Sequence, residues 1–276
     1  SSLGGDAERD VPHHAVPVQR PGIGRRRHGR AGAHQQRHLM RSSAASAAGC
    51  TAASEKSAMV PWGDINTVFL DMDGTLLDLN FDNHFWLEHV PQRYAEARGM
   101  APAAAKAELL DRYRSREGTL EWYCVDHWSR ELGLDIALLK EEVHHLIAVH
   151  PHVVDFLEAV RGAGKRMVLV TNAHQKAIAL KMQRTELAGH FDRIVCAHEL
   201  GLPKEQVAFW ARLHAIEPFM RESTLFVDDS VSVLKAARDY GIRHLCAVLR
   251  PDTSQPPRSV TEFAAIHDFS ELMPVA

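Results

Sequence analysis

Asp71 and Asp73 are separated by a single residue. On an extended chain, residues i and i+2 point the same way, so both carboxyls face one small volume where the apolar run Val68, Phe69, Leu70 stops. Two carboxylates held that close repel each other. Either one carries a proton or a cation sits between them, and a hard dication with oxygen ligands, such as magnesium, suits the second case. Thr171 and the pair Asp228 and Asp229 stand where other apolar runs stop, and Lys204 follows Pro203. These types answer the needs of phosphoryl transfer. Asp71 would attack phosphorus and give an aspartyl phosphate, dividing one hard displacement into two. Asp73 would protonate the leaving alkoxide and later take a proton from the attacking water. Lys204 and a metal would neutralise charge, and Thr171 with the backbone N–H groups beside it would bond the transferring oxygens. Asp229, helped by Asp228, would bind the metal.

The elements that must position these groups alternate. A strand ends at Asp71, and Gly74 lets the chain bend beyond it. From 152 onward the pattern is a helix with Val153, Phe156, Leu157 and Val160 inward, a strand at 167–170, a helix over 174–187 and a strand at 193–197. A helix over 204–214, a strand at 224–227, a helix capped by Ser230 and a last strand at 244–249 follow, ahead of a weakly patterned tail. Strands and helices alternating at these lengths predict an α/β fold with a doubly wound parallel sheet, in which function gathers at the carboxyl ends of the strands. One stretch interrupts the rhythm. Residues 80–150 read as consecutive helices, about 70 residues and too long for a simple βα loop, so an all-helical cap inserted after the first strand is expected over the active end of the sheet. The expected division is 59–79 with 151–276 as the α/β core and 80–150 as the cap, with hinges at 78–81 and 150–153.

Four motifs in order, DMDGTLLD, TN at 171–172, PK at 203–204 and FVDDS at 226–230, resemble those of the haloacid dehalogenase superfamily. The helical insertion resembles that superfamily's first cap class. More narrowly, LLDLNFDNHFW, LEWYCVDHWSRELGLDI, TNAH and GLPKEQVAFW are similar to the bacterial GMP/IMP nucleotidases within it, from about Met59 to the tail. The resemblance implies Asp71 as nucleophile, Asp73 as general acid/base, and Thr171, Asn172 and Lys204 around the phosphate. It implies magnesium held by Asp71, the Asp73 carbonyl and Asp229, with Asp228 direct or behind. The implied activity is hydrolysis of purine nucleoside 5'-monophosphates, a phosphoric monoester hydrolase reaction, with a sugar-phosphate or phosphoglycolate phosphatase as the alternative. A dehalogenase would have no need of Asp73, because a departing halide takes no proton. A phospho-accepting receiver would carry its paired acids early and its lysine late, the reverse of this order, and a non-catalytic binding module would have lost a motif residue.

Other features are read as follows. Asn83, His84 and His174 lie near the expected mouth and are candidate substrate contacts, while Trp86, Trp122, Tyr123 and Trp128 read as packing within the cap. The histidines at 144, 145, 150 and 152 lack the spacing of a transition-metal site and read as solvated or capping groups. Residues 1–58 place arginines among Gly, Pro, Ala and Ser with little to build a core, so a disordered basic extension ahead of a start at Met59 is expected. The formal charge of −3 gives no argument for nucleic acid or an acidic membrane surface. No apolar run approaches the roughly 18 residues of a membrane span. Four scattered cysteines suit a reducing cytoplasm, with the thiols as inert core. The partner expected is thus a small phosphate ester, with no nucleic acid or membrane, and a monomer or homodimer.

Overall fold

β-branched and aliphatic runs that are apolar on both faces can be satisfied only inside a sheet covered on both sides. In the computed structural model, which describes residues 60–275, these runs form six parallel strands. They are β1 (Thr67–Leu70), β2 (Arg166–Thr171), β3 (Arg193–Cys196), β4 (Thr224–Asp228), β5 (His244–Val248) and β6 (Ala264–Ile266), hydrogen-bonded in the order β3-β2-β1-β4-β5-β6. All four residues of β1 are buried. β1 therefore lies at the centre, with β2 and β4 on either side. Residues 1–58, including Cys50, lie outside the described residues.

The helices follow in chain order. α1 (Asn80–His84), a π-helical segment (Phe85–His89) and α2 (Val90–Arg98) run on without a break, and α3 (Pro102–Arg114) turns back against α2. α4 (Val125–Leu132) and α5 (Ile136–Glu142) complete the stretch between β1 and β2. α6 (Val153–Gly162) precedes β2, α7 (Gln175–Thr185) follows it, and α8 (Ala197–Leu200), α9 (Val207–Ile216) and α10 (Val231–Tyr240) complete the set. The π turn has a local cause. Pro91 lacks the N–H that an α-helix would bond to Leu87, and its ring crowds that carbonyl; the helix widens just before it, with Val90 N–H reaching Phe85 O.

Side chains alternate across a strand, and the sheet uses both faces. Val68 and Leu70 pack with Val153, Phe156 and Leu157 of α6 and Ile178 and Met182 of α7. Phe69 packs on the other face with Phe209, Trp210 and Leu213 of α9 and Leu234 of α10. This is the doubly wound arrangement, and the strand ends it makes available are the ones the motifs occupy.

Three expectations about elements change. The tail contains a sixth strand: Ala264 and Ala265 carry little strand propensity, and β6 forms by pairing Cys246, Ala247 and Val248 with Ala264, Ala265 and Ile266. The helix expected from 204 begins at Val207, because Lys204 lies in the preceding turn, where Gln206 N–H bonds Pro203 O at 3.1 Å. Cys124 is half-buried and its sulfur caps α4, accepting from His127 N–H at 3.3 Å. The two connections between the sheet and the helices at 80–147 run side by side: Leu77 and Val149 form an antiparallel bridge, and Asp78 N–H bonds Ala148 O at 2.9 Å. No helix among the described residues is long and apolar enough to cross a membrane.

Candidate active site

Sheet register determines which groups meet. Leu70 pairs with Val227 on β4 and with Leu169 on β2, so Asp71, one residue on, lies beside Asp228 and Val170. Asp71 N–H bonds Val227 O at 3.0 Å, which carries the ladder up to the nucleophile position. Lys204 reaches this point from the turn before α9. Its Nζ lies 2.5 Å from Asp71 Oδ1, 2.6 Å from Asp228 Oδ2 and 3.1 Å from Val170 O. The lysine is wholly buried. Burial works against its charge, but the Asp228 and Asp71 carboxylates outweigh that and raise its pKa.

Asn172 holds Lys204 there. Its Oδ1 accepts from Lys204 N–H at 2.9 Å, and its Nδ2 donates to Glu205 Oε2 at 2.9 Å. Tyr123, from the stretch between β1 and β2, donates to the other Glu205 oxygen at 2.6 Å. Thr171 is buried at the end of β2 and accepts from Ala173 N–H at 3.0 Å.

Asp71, Asp228 and Asp229 are all buried, each with a carboxylate oxygen within 4.8 Å of the others. Asp71 Oδ2 has no hydrogen-bond partner among the described residues. Asp228 Oδ1 accepts from Ser230 N–H at 2.7 Å, and Arg258 stands 3.7 Å from Asp229 Oδ2. Gly74 closes one side: at φ +83° only glycine is unstrained, and a Cβ there would fall 2.8 Å from Asp229 Oδ2. Three converging acidic side chains, of which Asp71 offers an oxygen with no hydrogen-bond partner among the described residues, suit a hard dication.

Asp73 is bound differently. Lys181 of α7 donates to its Oδ1 at 2.6 Å and to Asp82 Oδ2 at 2.5 Å, and Lys140 of α5 donates to Asp82 Oδ1 at 2.9 Å. Burial raises the Asp73 pKa to about 6, and the Lys181 ammonium moderates that rise. Asp71, Asp73, Asp82, Lys140, Thr171 and Lys181 share one cavity, whose remaining wall includes Trp86, Tyr113, Trp122, Tyr123 and Trp128.

The haloacid dehalogenase-like hydrolase family matches this sequence over residues 65–241. The chain is a haloacid dehalogenase-like hydrolase. The hydrolase is 38% identical over 215 residues to the GMP/IMP nucleotidase YrfG of Escherichia coli (strain K12), covering 78% of this chain and 97% of that protein. It is 29% identical over 231 residues to phosphoglycolate phosphatase 1 of Pseudomonas aeruginosa, covering 76% of this chain and 79% of that one. Its fold superimposes on the crystal structure of a phosphatase of the family from Thermococcus onnurineus with a TM-score of 0.65 at 20% identity, over 75% of this chain and 96% of that one.

Among the residues singled out from the hydrolase's sequence, Asp71, Thr171, Lys204, Asp228 and Asp229 converge, and Asp73 faces the same cavity. Asn172 also lines the cavity, with both ends of its amide engaged on the Lys204 turn. Asn83 lines the cavity and donates to Asp252 Oδ2 at 2.7 Å. His84 is not brought to the cavity: it is exposed at the last residue of α1 and does not line the wall. Nor does His174 line it: that residue is buried outside the cavity, caps α7 and lies 3.6 Å from Asp126. The reading of the aromatics as packing alone is incomplete, since Trp86, Trp122 and Trp128 pack in the core and, together with Tyr123, wall the cavity as well.

Lys181, Asp82, Lys140, Glu205 and Tyr113 escaped the sequence reading as site groups. A signal was available for the lysines. Lys181 is four residues after Ala177 on the buried stripe of α7, and Lys140 is four after Ile136 on that of α5. A lysine on an apolar stripe needs a carboxylate nearby.

Behind His174 lies His198, with ring centroids 5.0 Å apart and a buried Nε2 lacking a hydrogen-bond partner among the described residues. Burial first, then the nearby His174, lowers its pKa from 6.5 to about 4. A base whose folded pKa lies below its unfolded value destabilises the fold when protonated. Stability measured by urea unfolding should therefore hold above pH 6.5 and fall as the pH is lowered towards 4, with a shallower fall in His198→Leu. An identical pH profile in that variant would exclude His198 as a source of the dependence.

Proposed function

We propose that this hydrolase releases phosphate from purine nucleoside 5'-monophosphates of the GMP and IMP type. The observation that carries this reading is the state of Asp71. Lys204 clamps one carboxylate oxygen while the other, buried and without a hydrogen-bond partner among the described residues, lies at the cavity that Asp73 also lines. Asp71 forms the bond to phosphorus as the bond to the leaving oxygen breaks, and Asp73 gives that oxygen its proton. Water then attacks the aspartyl phosphate, Asp73 takes the water's proton, and inorganic phosphate leaves with Asp71 restored. Thr171 and Lys204 bond the transferring oxygens, and Asn172 holds Lys204 in register.

Asp71, Asp228 and Asp229, together with the Asp73 carbonyl, would hold magnesium, which when bound supplies positive charge opposite the phosphate oxygens. The helices at 80–147 act as the cap, with the two adjoining connections as hinges. The cytoplasm is the compartment we assign to it.

Two observations favour a nucleotide over a small phosphate ester. The E. coli relative is named for GMP and IMP, and the cavity wall includes five aromatic side chains, which offer rings on which a base can stack. Stacking of this kind contributes about 1–3 kcal/mol per base. The Tyr113 hydroxyl in that wall is buried without a hydrogen-bond partner among the described residues, which leaves a donor for the substrate. Phosphoglycolate, the substrate in the name of the P. aeruginosa relative, is the second reading. Phosphate release should be fastest with GMP and IMP across a panel of phosphate esters, should stop with EDTA and should return with magnesium. Equal rates on GMP and on 2-phosphoglycolate would count against base recognition.

A further inference from the structure

Lys181 and Lys140 are 1% and 3% exposed. Burying an ammonium costs several kcal/mol before its partner offsets any of it, and an apolar side chain of similar size often serves stability better. Two such lysines lining one cavity call for a reason beyond packing. Their partners alternate in a chain: Asp73, Lys181, Asp82, Lys140, joined at 2.6, 2.5 and 2.9 Å. Asp82 and Lys140 come from the helices between β1 and β2, whereas Asp73 follows β1 and Lys181 belongs to α7 beyond β2. Lys181 Nζ also lies 5.1 Å from the centre of the Phe81 ring, so its ammonium is held by a second carboxylate and by an aromatic face. Lys140 Nζ is 4.2 Å from the Phe85 ring centre in the same way.

We infer that Lys181, anchored by Asp82, is a positioning residue that fixes the Asp73 side chain for proton transfer to the leaving oxygen. The inference rests on the proposed reading of Asp73 as general acid. Asp73 precedes Gly74, at the bend just past β1, where a bridge to Leu77 fixes its backbone and the direction of its carboxyl is left to the groups that side chain meets. An ammonium already held by Asp82 sets that direction without giving up its own freedom at the moment of reaction. Because Asp82 stands on α1, the acid is in place only when the helices between β1 and β2 sit against α7. Asp82→Asn would weaken the grip and leave Lys140 and Lys181 facing each other with less negative charge between them.

The test compares esters that differ in their need for a proton. An alkyl phosphate such as GMP leaves as a basic alkoxide, whereas p-nitrophenyl phosphate leaves as a stable phenolate. In Lys181→Met and Asp82→Asn, the single-turnover rate of leaving-group release should fall about 100-fold on GMP and stay within about threefold on p-nitrophenyl phosphate, since breakdown of the aspartyl phosphate, which needs Asp73 as base for either ester, follows that step. A merely structural role would lower both alike, so equal losses, or no loss on GMP, would overturn the inference. Asp82→Asn is nearly isosteric and carries the comparison if Lys181→Met does not fold. If the unaltered enzyme turns over another alkyl phosphate faster than GMP, the substrate reading fails, and the ratio is then read on that ester.

Discussion

Asp71→Asn should give a folded protein that releases phosphate from GMP at least about 10⁴-fold more slowly than the unaltered enzyme, the scale of loss seen when a covalent nucleophile is removed. The amide keeps the shape of the carboxylate and still offers an oxygen to Lys204, whose Nζ is 2.5 Å from Oδ1 in the native site. It replaces Oδ2, the oxygen without a hydrogen-bond partner among the described residues, by an NH₂ group with no capacity to form an acyl phosphate. Activity should therefore vanish without a matching loss of structure. Circular dichroism and a melting curve test the second half, and a phosphate-release assay tests the first. Turnover near the native rate would remove Asp71 from the reaction and the covalent route with it.

Lys204→Met should lose both stability and rate. The ammonium is the positive charge that lies directly between Asp71 and Asp228, and all three side chains are buried. Removing one member of a buried ionic group leaves the others uncompensated, at a cost of about 3–5 kcal/mol. For a protein of this size that corresponds to a fall of roughly 10 °C in melting temperature. kcat should fall by about 10²–10³, as for the loss of one strong electrostatic contact to a transition state. Magnesium should raise the melting temperature of the variant more than that of the native chain, because a cation then supplies charge that the lysine no longer provides. A variant that melts at the native temperature would mean that Asp71 and Asp228 do not depend on this ammonium.

The motif residues were legible in the sequence because each is tied to a strand end by local chemistry. Apolar runs stop at Asp71, Thr171 and Asp228, and a central parallel sheet brings such points together whatever the loops do. Ser230 was legible for the same reason: a helix cap is a relation between neighbours, and its hydroxyl does accept from Val233 N–H, at 3.4 Å. The Asp73–Lys181–Asp82–Lys140 chain was not legible as a unit, because its members are up to 108 residues apart: an apolar stripe shows that Lys181 and Lys140 turn inward but not which carboxylates they meet. β6 was hidden for a related reason, being a strand that its neighbour makes rather than its own residues. The burial of Lys204 depended on the long reach of Asn172, a contact over 32 residues that no spacing rule contains. Trp86 and Trp122 were half legible: helical spacing tells that a ring turns inward, but not that the interior is partly hollow.

The bridge between Leu77 and Val149 has a consequence for how such a protein can change. Since the chain departs from the sheet and re-enters it through a single doorway, the stretch beyond can be lengthened or trimmed without shifting a strand, provided that Asp82, Lys140 and Tyr123 keep their contacts. Descent can thus vary the size of that stretch freely, but not the few side chains that reach from it across to α7 and the Lys204 turn.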